Sequence, residues 1–398
     1  MKIEVYKSVF VEEPHELGLV NGAISYTSKD KLELIHIYGV IMGSDLYDLF
    51  RERFSPDNGV SWSKPKLIEP LKSIHDKDGV FRCSGISLFL DEDKNVLFRF
   101  FNRGFYPHDV PKLALWHLYY QIFDRGDRKW SEPVEVKSEE AKERETFPGI
   151  REGSLAISCS FPIKTSKRKI ILPAQIKAFD EYGNIWFPFK NYFSPFYESI
   201  VLIGEWRKGK VAWEKGGKVT IDPNISCRLC EPAVAELEDG RLLMICRGDN
   251  GAFPDKPGYK WVSISDDGGY NWTKPQPLTF DDGTKLFSPS SCSHLFRSWR
   301  TGKLYWIANV LKQNPVGNRP RYPLIIAEID EDKLAVKRKS MLVIDDRMPG
   351  EPELVQLSNF RCYQDRATGD LVMIMARYGE CKDDWRRSPL YLYRVHLD

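Results

Sequence analysis

The chain has no apolar run approaching the ~18 residues of a membrane span, so no membrane partner is expected. It has no Pro/Ser-rich linker and no low-complexity tract, which makes one domain over residues 1–398 the simplest division. It has almost no net charge: 58 Lys and Arg stand against 56 Asp and Glu, a balance of +2, leaving no electrostatic footprint for nucleic acid. It lacks a second cysteine pair at zinc spacing, because Cys227-Arg228-Leu229-Cys230 stands alone, so neither a metal nor a cofactor is implied. The stretch from Met1 to Phe10 alternates charged with apolar residues and lacks the apolar centre of a secretory leader. A cytoplasmic location is therefore expected, with the eight cysteines as thiols rather than disulfides.

What is present is a repeat. Six segments share an apolar strand, a tight polar turn and a second apolar strand. They run from Val20 to Ile35, Phe81 to Phe98, Arg151 to Leu172, Leu229 to Met244, Ser291 to Trp306 and Phe360 to Met373. Their turns carry residues that tolerate positive φ or bond their own backbone, such as Asp239-Gly240, Thr301-Gly302, Thr368-Gly369 and Asp93-Lys94-Asn95. A third apolar run follows each hairpin: Leu46 to Phe50, Leu113 to Tyr120, Ile200 to Ile203, Trp261 to Ile264, Leu324 to Ile329 and Leu390 to Val395. The recurrence of roughly 60 to 75 residues exceeds the usual blade of about 40 to 50, which requires long inserted loops. Six such units predict an all-β, six-bladed propeller. Met1 to Phe10 reads as a strand that pairs with Leu390 to Val395 and closes it.

Arginines recur at one register of the repeat, in Phe81-Arg82-Cys83, Ile150-Arg151-Glu152 and Phe360-Arg361-Cys362. In a propeller such side chains converge on the axis. Guanidiniums held close together repel unless an anion neutralises them, and a bidentate carboxylate is their natural complement. The alternative is that they pair with Glu152, Asp365 or Glu231 and rivet the strands. Cys83, Cys230, Cys292 and Cys362 share a register and read as small buried residues of inner strands. An aromatic-rich insertion, Tyr182 to Phe193, is open to two readings, a sugar platform or packing beneath a loop.

Two strings fit S-x-D-x-G-x-x-W: Ser55-Pro56-Asp57-Asn58-Gly59-Val60-Ser61-Trp62 and Ser265-Asp266-Asp267-Gly268-Gly269-Tyr270-Asn271-Trp272. A decayed copy runs from Asp124-Arg125-Gly126 to Trp130. Here Asp accepts backbone N–H groups, Gly takes positive φ and Trp packs the turn, so the motif marks a fold rather than a chemistry.

With these Asp boxes, six repeats and the run Cys230-Glu231-Pro232 to Cys246-Arg247, the chain resembles the sialidase (neuraminidase) superfamily of six-bladed propellers. The resemblance implies a paired Glu231 and Arg247. It implies a further arginine in Asn314 to Leu324, where Arg321 fits the R-x-x-L half and Arg319 the spacing from Asn314; Arg321 is preferred. It offers Tyr363 as nucleophile with Glu231 as its base, because a neutral phenol attacks a carboxylate-bearing anomeric carbon without charge repulsion. The family's acid is a loop aspartate, for which Asp109 in Asn102 to Pro111 is the candidate, with His108 and Asp78 as competitors. The chain departs from the family in its first blade, where Leu19-Val20-Asn21-Gly22 carries no arginine. The expectation is a glycoside hydrolase acting on an anionic oligosaccharide, clamped by members of the set Arg82, Arg151, Arg247, Arg321 and Arg361. A uronate lyase or a non-catalytic glycan-binding propeller are the alternatives.

Overall fold

The computed structural model describes residues 4–12 and 18–397. The chain forms two compact units, one built on Ile163–Asn359 and the other on Glu4–Pro162 with Phe360–His396. Among the described residues each holds three antiparallel sheets of four or more strands, and the second unit also holds the two-stranded Glu145–Phe147 and Ile150–Arg151.

In the discontinuous unit, the first sheet runs Gly18–Tyr26, Leu34–Gly43, Leu46–Ser55 and Lys66–Leu67. The second is centred on Gly79–Asp91, Val96–Pro107 and Leu115–Asp124. The third orders Arg361–Gln364, Leu371–Ala376, Leu390–Val395 and Val5–Val11, so the predicted pairing of the N-terminal strand with Leu390–Val395 is present, with Val5 opposite Val395. In the continuous unit, the sheets are built on Ile170–Lys177, Tyr197–Arg207 and Lys210–Val219; on Cys230–Glu236, Leu242–Arg247 and Lys260–Ser265; and on His294–Arg297, Leu304–Asn309 and Leu324–Asp330.

The burial pattern explains why middle strands read as unbroken apolar runs. Leu304–Asn309 and Leu371–Ala376 are buried at every position, since each sheet is covered on both faces. The cores lie between consecutive sheets. One joins Ile245, Val262 and Ile264 to Leu304, Trp306 and Ile325; another joins Ile35, Ile37 and Phe50 to Cys83, Leu97 and Phe101.

The two Asp boxes close with the same bonds. Gly59 N–H donates to Ser55 Oγ at 2.7 Å and Trp62 Nε1 to the Gly59 carbonyl at 3.2 Å. Gly269 N–H donates to Ser265 Oγ at 2.8 Å and Trp272 Nε1 to the Gly269 carbonyl at 3.1 Å. Gly59 and Gly269 sit at φ +89° and +101°, where a side chain would strain the backbone. In the decayed copy, Gly126 N–H still donates to Asp124 Oδ1, but Trp130 Nε1 donates to Glu52 instead of closing its turn. Asp267 accepts from Ser265 Oγ and from the Tyr270 and Asn271 backbone amides. Asp267→Ala is expected to cost about 1 to 2 kcal/mol, read as a lowered urea midpoint, with no change in glycan binding.

Candidate functional site

In the continuous unit the ladder itself brings Glu231 to Arg247. Cys230 pairs with Arg247 across the sheet, and the register then slips between Cys230 and Ala233. The bulge sets Glu231 at φ +44°, a strained value for a residue with a side chain, and turns its carboxylate onto Arg247. Arg247 Nη1 donates to Glu231 Oε2 at 2.7 Å, with both side chains 11% exposed. The Glu231 amide donates to Gln175 Oε1 at 3.1 Å. Burial alone would raise the Glu231 pKa, but the charge and hydrogen bond of Arg247, joined by Arg228 and Arg321, bring it down to about 2.

A second carboxylate lies two residues beyond Arg247, just past the end of its strand. Asp249 accepts from Arg228 Nη2 at 2.7 Å and from the Tyr192 hydroxyl at 2.6 Å. Its pKa is about 2: burial works against ionisation and Arg228 outweighs it. Arg228 also donates to Ser194 Oγ at 2.6 Å. The aromatic insertion packs inward at one position and is exposed at the next. Tyr192 is buried on Asp249, while the next residue, Phe193, stays 62% exposed.

Arg321 has no carboxylate bonded to it among the described residues. It is buried and donates to Asn318 O, Ser358 Oγ and Ser290 O at 3.1–3.3 Å. Burial, then the neighbouring Arg247, lowers its pKa to about 10. Arg319, the competing residue, is bonded to the Leu354 carbonyl in a more exposed setting. Ser290 ties the group together, since its hydroxyl accepts from Arg247 Nε at 2.8 Å. With the fully buried Lys260, four basic side chains (Arg228, Arg247, Arg321 and Lys260), three of them guanidiniums, stand against two carboxylates, Glu231 and Asp249. That excess suits an anion.

The other unit holds the remaining candidates. Arg82 and Asp109 engage each other: Nε and Nη2 donate to the two Asp109 oxygens, both at 2.8 Å, and Nη1 to the Tyr47 carbonyl at 2.7 Å. The residues assigned as substrate clamp and general acid are therefore one ion pair, fastening a loop whose His108 and Asp109 sit at φ +52° and +58°. Asp78 is a turn residue whose carbonyl accepts the His108 amide. Arg151 lies exposed on a separate two-stranded hairpin with Glu145–Phe147, away from any sheet interior. Arg361 is buried, but it is held by the carbonyls of Gly22, Phe360 and Ile86 rather than by a carboxylate.

Tyr363 packs into an apolar cluster. Its ring meets Tyr26 edge-on with centroids 5.7 Å apart, and its hydroxyl lies against Gly59 of the first Asp box. Burial, with the nearby Tyr26 and Asp365, keeps the phenol well above its ordinary pKa. These surroundings favour the neutral phenol, the opposite of what an activated nucleophile requires. Tyr363 thus lies on the expected strand, Arg361–Gln364, where it packs against the first Asp box.

Several residues of these clusters escaped the sequence reading. Arg228 was visible only as the filling of a C-x-x-C, and Asp249 was not singled out. Lys260 and Ser290 gave no signal at all. In the discontinuous unit Asp45 occupies the turn between Leu34–Gly43 and Leu46–Ser55 at φ +60°. Burial, with the charge of Asp45 added, raises the phenols of Tyr47, Tyr378 and Tyr106, the last to about 12. Among the described residues no cluster of three metal-ligating side chains occurs, and no helix is long and apolar enough to cross a membrane.

No family model matches the chain, and no curated protein matches it in sequence. Solved structures do match. A Hadza microbial sialidase aligns over 94% of this chain at 14% identity with a TM-score of 0.60. A mutant of Trypanosoma rangeli sialidase displaying trans-sialidase activity aligns over 98% at 13% identity with a TM-score of 0.62. This chain spans 65% and 58% of those two proteins. The GH93 α-L-arabinofuranosidase of Fusarium graminearum, solved with arabinobiose, aligns over 97% of this chain and 94% of its own length at 12% identity and a TM-score of 0.55. The fold is thus a six-bladed β-propeller like that of these solved structures.

Proposed function

We propose that the protein is a glycoside hydrolase acting on an acidic sugar, bound at Arg247 and Arg321 beside Glu231. The observation that carries this reading is the buried excess of cations over carboxylates in the continuous unit. An uncompensated guanidinium such as Arg321 is costly out of water, and a substrate carboxylate or sulfate supplies the missing charge with charge-assisted bonds. Glu231 remains an anion at any working pH, so its part is to stabilise an oxocarbenium-like centre or to accept a proton, not to donate one. The neighbouring sialidases and arabinofuranosidase support glycoside hydrolysis, and the cation excess favours an acidic over a neutral sugar.

The test is mass spectrometry of products after incubation with sialylated, uronate-containing and sulfated glycans. Fragments that have gained water are expected. Unsaturated fragments without added water would instead mark a lyase, and no cleavage across the panel, with binding retained, a glycan-binding propeller. The packing of Tyr363 predicts that Tyr363→Phe keeps kcat within about twofold. Loss of turnover with binding intact would restore the phenol as nucleophile.

A further inference from the structure

Beneath the two arginines the tripeptide Pro289-Ser290-Ser291 gathers three cations. The Ser290 hydroxyl takes Arg247, the Ser290 carbonyl takes Arg321, and the carbonyls of Pro289 and Ser291 both take Lys260 Nζ. Lys260 pairs directly across the sheet with Arg247 and has no solvent exposure. Its acceptors are two neutral carbonyls. Two acceptors satisfy both hydrogens of a neutral amine as well as two of the three of an ammonium, so the site accommodates either state. Of the three cations, only lysine can give up its proton.

We propose that Lys260 is the charge regulator of the anion site, taking up a proton from solvent when an anionic sugar binds. This rests on the acidic-sugar reading above. Burial, then the adjacent Arg247, brings the Lys260 pKa down to about 7 in the empty site. The groups facing it are Arg247 across the sheet, Glu231 and Cys230 on the strand beyond, and Cys292 and Arg321 from the Ser290 side. Glu231 at about 2, Cys230 at about 11 and Arg321 at about 10 titrate outside the range from pH 6 to 8.5. A bound anion favours the ammonium and raises its pKa. Binding then takes up a proton, and affinity falls as pH rises.

The experiment is isothermal titration calorimetry of the whole chain with N-acetylneuraminate, glucuronate and inorganic sulfate from pH 6 to 8.5, in buffers of differing ionisation enthalpy. For whichever probe binds, Kd is expected to be flat below pH 7 and to rise up to about tenfold per unit above it, with close to one proton taken up. Lys260→Met should bind more weakly at pH 6 and show no pH slope, with Lys260→Gln as a second variant should methionine impair folding. A pH-independent Kd in the native chain, or a slope that survives in Lys260→Met, overturns the role of Lys260 and leaves the acidic-sugar reading standing. Failure of all three probes at pH 6 overturns both.

Discussion

Glu231→Ala is expected to destabilise the protein by about 3 to 5 kcal/mol, because it strands Arg247 as a buried charge beside Arg228 and Arg321. Arg247 retains only the Ser290 hydroxyl among its side-chain partners given above. Glu231→Ala combined with Arg247→Met should recover much of the loss, since removing both charges removes the uncompensated one. Equilibrium urea unfolding of the two single variants and the double variant measures this. A single variant within about 0.5 kcal/mol of the native chain would show the pair to be solvated rather than buried. The same pair sets an acid limit. The folded-state pKa of Glu231, about 2, lies below its ordinary value of 4.5, so its contribution is full above pH 4.5 and is lost as pH falls toward 2. Asp249, also at about 2 against 3.8, acts in the same direction.

A second large effect runs the opposite way along the pH axis. Lys177 and Lys260 are both buried, and burial lowers each from 10.5 to about 7. Between those values the unfolded chain holds a proton that the native chain lacks, so stability rises with pH by up to about 1.4 kcal/mol per unit per lysine. The effect is absent below pH 7, where both states are protonated. Above pH 9 it is opposed by Cys230 and Cys246, whose burial pushes them to about 11 and 12 from 9.0, so that unfolding there releases thiol protons. The urea midpoint should therefore climb from pH 7 to pH 8.5. Lys260→Met should be more stable than the native chain at pH 6 and should lose its share of the slope. A midpoint that is level or falling over that interval would mean that both lysines are charged in the folded state.

The architecture was legible because it is written as repetition. The apolar hairpins and third strands appear as strands in five repeats, whereas in the third the run from Arg151 to Ser158 is strand only at Arg151 and Leu155–Ala156; both complete Asp boxes close with the bonds their residue types dictate. The site was legible only where a strand register carried it. Glu231 and Arg247 sit at the two ends of one hairpin, so the ladder brings them together whatever the loops do. Arg321 was recoverable from its setting before an apolar strand. Arg82, Arg151 and Arg361 share a local string with no shared environment: one binds a loop aspartate, one lies on an exposed hairpin, and one is capped by carbonyls. A string of three residues fixes the strand position and leaves the partner to distant chain. For Lys260 the partners are carbonyls, which every residue possesses, so no sequence pattern announces them.

Val5–Val11 lies alongside Leu390–Val395, and its sheet is completed by Leu371–Ala376 and Arg361–Gln364. The discontinuous unit thus cannot acquire its third sheet until the chain through Leu390–Val395 has left the ribosome, whereas the main strands of the sheets in Ile163–Asn359 come from one continuous stretch. Contacts of such long sequence separation form late and slowly. During synthesis the continuous unit is accordingly expected to gain protease resistance first, with Glu4–Pro162 remaining cleavable until the strand at Leu390 arrives to receive its distant partner.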